Sequence, residues 1–155
     1  MTKNHDEVSE RTYLAIGRFI FEFSQAEYTI RHYLGDLIGI KDEYFSAIIE
    51  TISVGQLCNI TKDVVAGPNG HRNAEKINKL VSKFERFNRT RNQVAHGLWV
   101  PFMDGGTVHH VPANKPQPRR ASDQAASLEQ DADEVRALRA ALDRAFTELP
   151  EQGAP

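Results

Sequence analysis

Over residues 1–40 one set of large apolar residues falls at Tyr13, Ile16, Ile20, Phe23, Ile30, Leu34 and Leu37. Steps of three and four are the period of one helix face, and they predict a long amphipathic helix that stops near Gly39. One position in that register, Glu27, is acidic. A second helix is expected at about 43–51. A third starts at Ser53, where Ser-Val-Gly-Gln has the form of a capping box, and stops at Gly67-Pro68. The turn Gly-Pro-Asn-Gly then leads into a fourth helix over about 72–96, with Gly97 just past its end. Its apolar stripe runs through Ile77, Val81, Phe84 and Phe87, meets Arg91, and resumes at Val94 and Leu98.

Beyond that helix the pattern shortens. Leu98-Trp-Val-Pro-Phe-Met and Val108-His-His-Val flank Asp104-Gly105-Gly106, which predicts a small β-hairpin whose first strand Pro101 confines to an edge. A Pro-rich connector follows over 112–126. The last helix is expected to begin at Ser127-x-x-Gln130 and to bury Leu128, Val135, Leu138, Leu142, Phe146 and Leu149. The fold class implied is all-α: one domain over 1–155, a bundle of four to five helices with that hairpin after the fourth helix, and flexible ends at 1–6 and 150–155.

Composition changes this picture little. The 155 residues are 40% hydrophobic and 26% charged, enough to bury a core. From the polar, acidic start no signal peptide is expected, and no apolar run approaches the ~20 residues that span a bilayer. The expectation is a cytoplasmic protein with no membrane partner. Cys58, the only cysteine, lies in an apolar run and reads as a core residue.

Charge changes it more. The net charge is −2, yet residues 1–50 carry five basic and nine acidic side chains, and residues 122–151 three and eight. Between them, residues 72–91 hold seven basic side chains against Glu75 and Glu85. Lys76, Lys79, Lys83, Arg86 and Arg89 form a basic stripe of the kind that binds a polyanion such as RNA; a solvated helix face has the same composition.

The stripe leads into Arg91-Asn-Gln-Val-Ala-His-Gly. Glu27 and Arg91 both stand where a helix wants an apolar side chain, and a buried charge is costly unless paired. The simplest expectation is that they pair with each other. Arg91 and His96, five apart, point roughly 140° away from one another on an ideal helix, whereas Arg89, Asn92 and His96 share a face. Three outcomes are open: the helix breaks near Asn88, a site is shared by two chains, or Arg91 is structural. His96 in a last turn before glycine is also favoured by the helix dipole alone.

Arginine, a polar residue and a histidine in this spacing, late in a helical bundle with a long acidic-bearing first helix, resemble the HEPN superfamily. The resemblance covers about seven residues in motif and most of the chain in architecture. It implies a metal-independent endoribonuclease, such as a toxin or antiphage-defence effector, with Arg91, Asn92 and His96 catalytic and Glu27 and Arg89 supporting. His96 would transfer protons, Arg91 would clamp phosphate and Asn92 would orient. RNA would be the substrate, no cofactor or metal would be needed, and a cognate antitoxin or regulatory protein would be the partner. One motif supplies one histidine while cleavage needs a base and an acid, so a homodimer with facing motifs is expected. The alternative is an inactive HEPN-like module that binds RNA, a nucleotide or a protein.

Overall fold

A computed structural model describes residues 2–101, 108–111 and 119–148, with side chains over 10–97 and 125–148. Five helices dominate: α1 (Thr2–Leu37), α2 (Asp42–Ile48), α3 (Val54–Ala66), α4 (Ala74–His96) and α5 (Ala121–Thr147). The class is all-α. After α4, β1 (Leu98–Pro101) pairs antiparallel with β2 (Val108–Val111), Leu98 opposite Val111, and β2 pairs with the two-residue β3 (Arg119–Arg120), His109 opposite Arg120. The turn expected at Asp104-Gly105-Gly106 lies outside the described residues, as do the burial of Leu98 and Leu149.

Local chemistry sets the helix ends. α1 stops in a Schellman motif: the Ile40 N–H donates to Gly35 O (2.9 Å), the Gly39 N–H to Asp36 O (3.1 Å), and Gly39 sits at φ 67°. That left-handed conformation is one a side chain resists. α2 ends at Ile48, short of the expected 51. At α3 the capping box forms as the sequence implies. The Gln56 N–H donates to Ser53 Oγ (3.3 Å), and Gln56 Oε1 accepts from the Ser53 N–H (3.0 Å). In the turn that follows, the Gly70 N–H donates to Gly67 O, and a Cβ at Gly70 would stand 2.3 Å from Val65 O.

The chain forms two compact units, Met1–Phe23 with Phe87–Val135, and Ser24–Arg86 with Arg136–Pro155. In the first, Thr12, Ala15, Phe19 and Phe23 of α1, Phe87 and Val94 of α4, and Ala125, Leu128, Ala132 and Val135 of α5 are buried. Arg11 grips Glu129 with two hydrogen bonds (3.0 and 2.8 Å) and Arg18 meets Asp133 (2.5 Å), tying α1 to α5 at the surface. In the second, Ile30 and Leu34 are buried, as are Leu57 and Cys58 of α3, Ile77, Val81 and Phe84 of α4, and Leu138, Leu142 and Phe146 of α5. Tyr33 stacks on Phe146 with ring centres 4.5 Å apart and donates to Asp143 (3.2 Å).

Two expectations about the helices are corrected. The buried face of α1 coincides with the expected stripe from Phe23 to Leu34, but Leu37 is exposed, and before Phe23 the buried face runs Thr12–Ala15–Phe19; Tyr13 is exposed, and Ile16 and Ile20 are half-buried. The buried register Thr12, Ala15, Phe19 lies one residue before the expected Tyr13, Ile16, Ile20, and large apolar residues stand in both, so their spacing alone does not choose between them. α5 starts at Ala121, six residues before Ser127, which shortens the connector. No proline follows Pro118 until the chain's end, beyond α5, and Ala125 already begins the buried stripe.

Candidate functional site

The C-terminal part of α4 belongs to the first unit, and it runs unbroken through Asn88 to His96. The helix break that would have brought Arg91 and His96 together does not occur. Phe87, Arg91 and Val94 lie in one register; the phenylalanine and valine are buried and the arginine is half-buried. Its Nη1 donates to Asn92 Oδ1 at 3.0 Å. With that oxygen engaged, Asn92 presents a ligand chiefly with the two donors of its NH2 group. His96 is the last residue of α4 and exposed, and the Gly97 N–H closes the helix on Gln93 O (2.9 Å). Arg89, Asn92 and His96, at steps of three and four, are all exposed and share a face. Arg91 departs from that face by roughly 140° relative to His96. Asn92 therefore joins two directions: it shares the histidine's face while holding the arginine.

Glu27 takes a different role from the one expected. Its Oε1 accepts from Nε (3.0 Å) and Nη2 (2.5 Å) of Arg31, one turn along α1. Arg31 in turn donates through Nη1 to Ile49 O and through Nη2 to Ile52 O (2.9 Å). The arginine's side chain is 10% exposed and the glutamate's 20%. The pair pins α1 to the connection between α2 and α3. Glu27 is thus a structural residue of the second unit, and the partner expected at Arg91 is supplied by Arg31. The sequence did hold the clue, since Glu and Arg four apart on a helix are neighbours. A carboxylate that sequence reasoning missed is Glu22, 7% exposed in the first unit, whose Oε2 has no hydrogen-bond partner among the described residues.

The basic stripe is partly answered by the chain's own acids. Lys76 lies 3.3 Å from Glu148, and Lys79 lies 2.7 Å from Glu75, holding that carboxyl below its usual range mainly through their hydrogen bond. Both pairs are exposed, so they are weak and open to exchange for phosphate. Lys83 is half-buried, and Arg86 and Arg89 are exposed.

Two further candidates resolve as structural. Cys58 is fully buried, and burial, with the nearby Glu85 adding and Lys62 opposing, pushes its thiol from 9.0 up to about 11, so it stays protonated. His71 accepts at Nδ1 from the Asn73 N–H (3.1 Å), so its Nε2 carries the proton toward Phe146 O (3.1 Å). His109 and His110 are neighbours on β2, opposite Val100 and Trp99. Among the described residues no group of three His, Cys, Asp or Glu gathers to hold a metal, and no helix is long and apolar enough to cross a membrane. No protein-family model, curated protein or solved structure matches the chain.

Proposed function

We propose that the chain is a metal-independent endoribonuclease of HEPN type, working as a toxin or antiphage-defence effector under a cognate antitoxin or regulatory protein. The observation that carries this is the end of α4: an exposed His96 on one face with Arg89 and Asn92, and beside it an arginine whose fork Asn92 already holds. In the proposed reaction a neutral histidine takes the proton from a ribose 2′-hydroxyl, and the oxygen attacks the adjacent phosphorus. The bond to the 5′-oxygen breaks, a protonated histidine supplies the leaving oxygen's proton, and a 2′,3′-cyclic phosphate remains. Arg91 neutralises the charge that builds on the phosphorane oxygens.

The unbroken α4 bears on how many chains this takes. Arg91 and His96 of one chain diverge, and one chain brings one histidine to this motif, so acid and base come from two copies with facing motifs. The same divergence favours a second function, a catalytically inactive module that binds RNA, a nucleotide or a partner protein through the exposed Arg89 face.

His96→Ala separates the two. His96 is exposed, so the variant keeps the fold and its RNA affinity. Loss of cleavage of a labelled RNA, with wild-type cleavage that survives chelator and ends in a cyclic phosphate, is the expected result. Cleavage that persists in the variant, or that requires magnesium, overturns the proposal, and a wild-type chain that binds without cutting leaves the binding module.

A further inference from the structure

In the second unit α2 is a short helix held from one side. None of its seven residues is buried, and a helix of that length does not hold together alone in water. Two contacts fix it to α1. The Phe45 ring packs on Gly35, where an added Cβ would stand 2.8 Å from it, and Arg31 donates to the carbonyls of Ile49 and Ile52 just past the end of α2. Arg31, Gly35 and Ile38 follow one another at steps of four and three, so all three lie on the side of α1 that carries α2. There Ile38 is 45% exposed, and on α2 itself Tyr44 and Ile48, one turn apart, are 52% and 49% exposed. The same segment turns Phe45 and Ile49 inward, so the outward apolar residues are surplus to its own packing. Apolar residues gathered on one side and flanked by polar ones mark a surface for another protein.

The flanking charges indicate what covers them. Asp42, Glu43 and Glu50 are exposed, and none of the three forms an ion pair among the described residues. Lys41 is the one basic residue between 40 and 50. Unanswered carboxylates repel a polyanion or an anionic lipid surface and attract lysine and arginine. We propose that α2, with Ile38, is the docking surface for a basic amphipathic helix of a second protein. Its apolar side chains lie on Ile38, Tyr44 and Ile48, and its lysines or arginines on Asp42, Glu43 and Glu50. Because α1 already holds α2 in place, the partner meets a formed face and docking has little to order. The surface gives the regulatory protein of the proposed function a place and a chemistry, and to that extent rests on that reading; the binding itself needs no RNA cleavage.

The probe is a synthetic amphipathic helix with leucine on one face and lysine on the other, titrated into the isotope-labelled full chain. It should move the amide signals of residues 38–50 and bind more weakly as salt rises. Ile48→Ser should weaken binding on the order of fivefold with an unchanged helical spectrum. Glu43→Gln with Glu50→Gln should flatten the salt dependence. The same peptide with glutamate in place of lysine should not bind. Signals that move among the acids of 122–151 instead, equal binding of the glutamate peptide, or an affinity untouched by Ile48→Ser would each overturn the proposal. So would light scattering in which wild-type chains associate and Ile48→Ser chains do not, because a second copy would then hold the face. None of these measurements reads cleavage, so a chain that cuts no RNA leaves the surface standing, and a failed titration leaves the nuclease proposal standing.

Discussion

Arg31 shows how much one side chain can hold. Its guanidinium satisfies Glu27 and two main-chain carbonyls, Ile49 and Ile52, and it is almost wholly enclosed. Removing it strands a half-buried carboxylate and two acceptors together, whereas removing Glu27 leaves the arginine its two carbonyls. Breaking a buried pair costs about 3–5 kcal/mol. With Glu27 partly wetted, Arg31→Ala should fall near ~3 kcal/mol, a drop in melting temperature on the order of 10 °C. Glu27→Ala should cost clearly less. Equal losses in a thermal melt would assign the stability to the ion pair alone and not to the carbonyls. Glu27 was visible in the sequence as an interruption of a stripe, and the spacing of four to Arg31 was there to be read; the burial of Arg31 was not, because it follows Ile30 and lies outside the stripe defined by large apolar residues. Only the packing of the α2–α3 connection over that position encloses it.

At the scale of elements, legibility follows locality. The stop at Gly39, the cap at Ser53 and the end of α4 before Gly97 are each written within a few residues, and each forms where the sequence places it. Gly39→Ala forces a side chain into the left-handed region and should cost about 1–2 kcal/mol in a denaturant titration. A stability unchanged from wild type would mean that the α1 terminus relaxes rather than holds. The N-terminal register of α1 and the start of α5 were less legible for one shared reason. Both turn on an alanine, Ala15 one turn before the fully buried Phe19 and Ala125 ahead of Leu128, whose burial is decided by how closely another helix approaches, and spacing within the helix does not report that distance. The motif shows the same division. Its position at a helix end was readable, while the bond from Arg91 to Asn92 depends on a rotamer that no pattern encodes.

Across the whole molecule, charge is sorted along the chain: basic residues cluster in 72–91 and acidic ones in 1–50 and 122–151. Two of the stripe's lysines already share their charge with Glu75 and Glu148. If RNA docks on the stripe, phosphates displace those weak pairs and release counterions, so affinity falls steeply with salt. Lys79→Glu with Lys83→Glu should weaken binding alike for unrelated RNA sequences. It should also flatten the plot of log affinity against log salt, by about 0.7 for each phosphate of single-stranded RNA that is no longer neutralised. A slope equal to that of the wild type in a filter-binding series would assign the stripe to solvation.

Both compact units are closed by the last helix. α5 supplies Ala125, Leu128, Ala132 and Val135 to one core and Leu138, Leu142 and Phe146 to the other. As the chain emerges from the ribosome, then, four helices are already outside before either core can be completed. Until residues 121–148 follow, the apolar faces of α1 and α4 have nothing from α5 to bury against. Each core waits on pairings more than a hundred residues apart in sequence, such as Arg11 with Glu129 and Tyr33 with Asp143, and closing so long a loop is slow. The growing chain is therefore exposed to proteases and to aggregation until α5 has emerged, and a chain cut before Ala121 completes neither unit.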